Sequence, residues 1–62
     1  MPQAVIYLRP GMGGTYKNLG LKEYVEMDRG RILFKHDGKQ HLATVEKSGA
    51  DGSIDTILAH SD

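Results

Sequence analysis

Near the middle of the sequence, His36-Asp37-Gly38-Lys39 separates Arg31-Ile32-Leu33-Phe34-Lys35 from Gln40-His41-Leu42-Ala43-Thr44-Val45. This arrangement leaves the chain little choice. A two-residue type I′ turn needs positive φ at both central positions, which Asp tolerates and Gly adopts freely, so Asp-Gly between apolar runs predicts a tight hairpin. The turn fixes the register: His36 faces Lys39, Phe34 faces His41, Leu33 faces Leu42 and Ile32 faces Ala43. Side chains alternate between the two faces of a strand. Ile32, Phe34, His41, Ala43 and Val45 therefore make a core face, and Arg31, Leu33, Lys35, Gln40, Leu42 and Thr44 a mostly polar outer face. A one-residue slip would exchange part of these sets.

The rest of the chain also follows period two more than period 3.6. Ala4-Val5-Ile6-Tyr7-Leu8 is β-branched, aromatic and apolar, and Pro10 stops it, which predicts a buried strand over 3–9. Residues 10–20 hold four of the eight glycines and predict a long loop. Leu21, Tyr24 and Val25 also fit a helical stripe, but Asp28-Arg29-Gly30 reads as a three-residue turn into the strand-like 31–36. A strand over 22–28 follows. After a second glycine-rich turn, Ser48 to Ser53, the β-branched Ile54, Thr56 and Ile57 predict a last strand. The alternative is a short C-terminal helix capped by Ser53, with Ile54, Ile57 and Leu58 on one face.

Five strands joined by mostly short turns within 62 residues make an all-β single domain, a small five-stranded antiparallel meander or barrel with a long Gly-rich first loop. The spacing of the strands is similar to that of SH3-like barrels. The chain lacks cysteine, which excludes a disulfide framework and thiolate chemistry, and no apolar run is long enough for a membrane helix. Residues 1–9 lack the pattern of a secretory signal, and a complete, cytoplasmic product beginning at Met1 is expected. So small a chain buries only about 60% of its unfolded surface, leaving few residues for an enzyme pocket, so no enzyme and no cofactor are expected.

The formal net charge of zero conceals a gradient. Residues 1–22 carry Arg9, Lys17 and Lys22 without an acid, a balance of +3; residues 40–62 carry Lys47 against Glu46, Asp51, Asp55 and Asp62, a balance of −3. Nucleic-acid binding would use Arg9, Lys17, Lys22, Arg29, Arg31, Lys35 and Lys39, with Tyr7, Tyr16 and Tyr24 as stacking platforms, and is the alternative function. The Gly11-Met-Gly-Gly14-Thr15 stretch lacks the Gly-Lys-Ser/Thr ending of a phosphate loop. His36, His41 and His60 are the only imidazoles and could, with Asp37, Glu46 and Asp62, bind a metal or act as a general base, but the hairpin register staggers His36 and His41 without fixing a third ligand, so no metal is expected.

Leu33 and Leu42 face each other on an otherwise polar surface, flanked by Arg31, Lys35, Gln40 and Thr44. An apolar spot with a charged rim is the anatomy of a small interface. The expected function is a non-enzymatic interaction module contacting another protein or a second copy. Its expected contacts are Met12, Tyr16 and Leu19 in the long loop and Leu33 and Leu42 on the strand face, with Arg31 and Lys35 setting orientation.

Overall fold

The Asp37-Gly38 turn forms as the sequence dictates in the computed structural model of the protein, which describes residues 1–51 and 54–61. Both φ angles are positive, 53° at Asp37 and 76° at Gly38. The flanking strands pair Phe34 with His41, Leu33 with Leu42 and Ile32 with Ala43. Five strands follow in chain order: β1 (Gln3–Pro10), β2 (Lys17–Met27), β3 (Arg31–His36), β4 (Lys39–Asp51) and β5 (Ile54–Ser61), with a 3₁₀ turn at Asp28–Gly30. Residues 54–61 are a strand and not the alternative helix; Ser53, its suggested cap, lies outside the described residues.

Neighbours in sequence are neighbours in space, and β5 closes on β1 to complete a barrel. Four of the ladders are antiparallel. The closing one is parallel, running from Val5 opposite Thr56 to Pro10 opposite Ser61. The fold is thus an all-β, closed five-stranded barrel, consistent with a small SH3-like barrel. No helix among the described residues is long and apolar enough to cross a membrane.

β1 runs one residue further than expected, through Pro10, and the larger differences fall at the two glycine-rich stretches, where strand replaces loop or turn. β2 starts at Lys17, so the first loop spans 11–16 instead of 10–20. Between the pairs Val5–Leu21 and Tyr7–Asn18, Leu19 and Gly20 oppose Ile6 alone. The Asn18 side chain accepts a hydrogen bond from the Gly20 amide at 2.8 Å, and Gly20 takes φ of 87°. A glycine that reads as a loop residue serves instead to insert one residue into a continuous strand. Likewise β4 runs through Ser48 to Asp51, where a turn is expected, and Glu46 is the extra residue between the pairs Val45–Ala59 and Lys47–Leu58.

The core is Ala4, Ile6, Ile32, Phe34, Ala43, Ile57 and Ala59, with Leu8, Leu19, Tyr24 and Val45 packed against it. Among the described residues, three of the seven buried ones are alanines, and Ile6 is the largest side chain fully removed from solvent. A five-stranded barrel is narrow, and small residues alternating with large ones fill such a taper. Deleting the Ile6 side chain in Ile6→Ala is expected to cost about 2–5 kcal/mol, a large part of a small domain's stability. At Gly38, no atom lies within 4 Å of an added Cβ, so Gly38→Ala isolates backbone strain. It is expected to lower stability by about 1–2 kcal/mol in urea unfolding; an unchanged midpoint would contradict the type I′ geometry.

Candidate functional site

The outer wall of β2, β3 and β4 carries a row of three apolar residues placed opposite one another. Val25 pairs with Leu33, and Leu33 with Leu42. Val25 and Leu42 are 42% and 37% exposed, while Leu33, in the middle, is half-buried by its neighbours. The next row toward the 3₁₀ turn pairs Met27 with Arg31 and Arg31 with Thr44, Met27 being exposed; on the other side Lys35 pairs with Gln40. The result is an apolar centre between Arg31 and Lys35. Val25 and Met27 join the expected Leu33–Leu42 pair because Asp28–Gly30 is a three-residue turn, which sets the β2–β3 register.

The loop residues do not join this row. Met12 is 69% exposed within the 11–16 loop. The loop folds back tightly at Gly14, where an added Cβ would lie 2.6 Å from the Pro10 Cδ. Leu19 lies on β2 and packs against the core. Tyr16 is half-buried and donates a short hydrogen bond to Glu46 Oε1. Along β4, Leu42 and Glu46 are four residues apart, roughly 13 Å at strand rise.

Tyr16 belongs to a polar clamp. Arg9 Nε donates to Glu46 Oε2 at 2.8 Å and Arg9 Nη2 to Glu46 Oε1 at 2.7 Å, a bidentate pair, and the guanidinium lies 4.8 Å from the Tyr16 ring centre. Arg9 is on β1 and Glu46 on β4, with His60 of β5 paired to Arg9 between them. The clamp therefore straps two strands across a third. Hydrogen bonds from Arg9 and then Tyr16 hold the Glu46 carboxyl below its usual range, while donation to Glu46, helped by desolvation, raises the Tyr16 hydroxyl. Nothing in the sequence marks this contact, because its partners are 37 residues apart and β4 reaches Arg9 only through the barrel's curvature.

The histidines divide. His41 stacks on Phe34 with ring centres 5.6 Å apart, and His36 lies 6.1 Å from His41, tilted by 56°. His36 Nδ1 is buried without a hydrogen-bond partner, and its Nε2 is 3.6 Å from Asp37. His60 is paired with Thr44, well along β4 from the hairpin tip. Among the described residues no three His, Cys, Asp or Glu side chains are placed to hold a metal ion.

A shallow groove opens where β4 leaves β3. One part, of about 230 Å³, is lined by Tyr24, Glu26, Arg31, Val45, Ser48 and Ile57 among others. A second part, of about 260 Å³, shares Tyr24, Ser48 and Ile57 and adds Gly49, Asp55 and Thr56.

No family model matches the chain, and no curated protein or solved structure is significantly similar to it.

The clamp makes a pH-dependent prediction. Because Glu46 has a depressed carboxyl pKa in the fold, its contribution is complete above the ordinary value of 4.5 and is lost as pH falls through the lower, folded value. The difference in urea midpoint between the native chain and Glu46→Gln is expected to be constant near neutrality and to shrink below pH 4.5. A pH-independent difference would mean that Glu46 acts by packing alone.

Proposed function

We propose that the chain is a non-enzymatic interaction module that docks another protein, or a second copy of itself, through the outer wall of β2, β3 and β4. The single observation behind this reading is the Val25–Leu33–Leu42 row, apolar residues in direct register on the wall turned away from the core. Burial of such a row drives association, and the flanking Arg31 and Lys35 steer and orient the partner. Met12 is exposed on the 11–16 loop, at the far end of β2 from this row, and is not part of the docking wall. Tyr16 and Leu19 are engaged elsewhere, one in the clamp and the other against the core. The nucleic-acid alternative is weakened because Arg9 is ion-paired to Glu46 and the Tyr16 ring lies beside the Arg9 guanidinium.

A photo-crosslinking side chain at position 25, in cells expressing the chain, is expected to give a defined adduct, and light scattering from micromolar concentrations upward separates a second copy from a partner. Leu42→Lys is expected to abolish the adduct while changing stability by less than about 1 kcal/mol. A chain that stays monomeric and gives no adduct at position 25 overturns the reading. Binding to mixed DNA and RNA that weakens steeply with salt would replace it with the nucleic-acid function.

A further inference from the structure

β4 is thirteen residues long, but its two ladders cover different halves. Pairing with β3 spans Lys39 to Thr44, and pairing with β5 spans Ala43 to Asp51. From Val45 to Gly49 the strand is therefore laddered on one side only among the described residues. No strand is laddered to the other edge there, and Val45, Ser48 and Gly49 line the groove together with Tyr24 and Glu26 of β2. A one-sided strand beside a groove is a template for an added strand, with main-chain hydrogen bonds giving affinity and pockets for alternate side chains giving specificity.

The groove's chemistry selects the occupant. Tyr24 and Val45, both half-buried, supply apolar surface beside the buried Ile57. Glu26 and Asp55 are exposed carboxylates without an ion-pair partner among the described residues, and Arg31 stands at the 3₁₀-turn end, in the part that Asp55 does not line. We propose that this groove binds an extended segment of another polypeptide as a strand added to β4, with an apolar side chain over Tyr24 and a Lys or Arg side chain against Glu26 and Asp55. The site uses none of the Val25–Leu33–Leu42 row, so it stands independently of the docking function.

The probe is a fluorescent decapeptide in which valine and lysine take turns at every second position with threonine between them, so that both share one face of a strand, with two controls: the same peptide with glutamate for lysine, and the probe with proline at two adjacent central positions. Saturable binding of the first is expected, with amide shifts and slowed hydrogen exchange confined to residues 45–49 of β4 and to Tyr24 and Glu26. The proline peptide, unable to donate along the ladder, and the glutamate peptide are expected not to bind. The double variant Glu26→Gln, Asp55→Asn should weaken binding roughly fivefold, the effect of losing two solvent-screened charge contacts. Leu42→Lys should leave it unchanged, so a failure here and a failure of the docking surface are read separately. Equal binding of the proline peptide, shifts centred on Leu33 and Leu42, or no saturation at millimolar peptide overturns the proposal. Concentration-dependent shifts at 45–49 without peptide would also overturn it, assigning the edge to a second copy.

Discussion

Five strands that alternate in direction cannot close on themselves with antiparallel pairs throughout: the first and the fifth point the same way. The parallel β1–β5 ladder is thus a consequence of strand number, and the barrel depends on it. Without that seam β1 and β5 would each be an open edge, and the interior would be half of a sheet's face. The seam also explains the composition of the core. Ala4 and Ala59 belong to the two strands that meet there, and Ala43 lies on the strand next to β5. Small residues let the backbones curve inward, while Ile6, Ile32, Phe34 and Ile57 fill the space that remains. On the outside, Arg9 and Glu46 bridge β1 and β4 over β5, reinforcing the seam with a charge-assisted pair whose geometry is bidentate.

How much of this was legible in the sequence follows from the range of each interaction. The Asp37-Gly38 hairpin and the Asp28–Gly30 turn are local, and both the β3–β4 register and the alternation of core and outer residues can be read from them. The row Val25–Leu33–Leu42 follows from the same two turns taken together. The bulge at Leu19–Gly20 could not be read, because glycine-rich sequence suits a loop, a turn or a bulge equally, and the one at Glu46 could not because nothing local distinguishes it from an ordinary strand residue. Which one forms depends on the opposing strand. The clamp was illegible for a stronger reason, since Tyr16, Arg9 and Glu46 come together only through barrel closure. In the same way, Leu19 reads as a loop side chain in the sequence, whereas β2 begins two residues before it.

The Glu46 bulge joins several of these features. It lies just past Thr44, where β4 parts from β3, and a bulge bends a strand and increases its twist. The bend carries β4 from the β3 side of the barrel to the β5 side and opens the groove at the point of departure. The same residue supplies the carboxylate of the clamp. One inserted position thus shapes a strand, braces the wall beside it and leaves an edge uncovered.

Parallel closure also determines where the chain ends emerge. Ser61 lies beside Pro10, whereas Gln3 is at the opposite end of β1, roughly 20 Å away at strand rise. The ends leave from opposite poles of the barrel. Copies fused head to tail would string out along their axes like beads instead of folding back side by side, and a circular permutant would need a linker of about six or seven extended residues running the length of the wall.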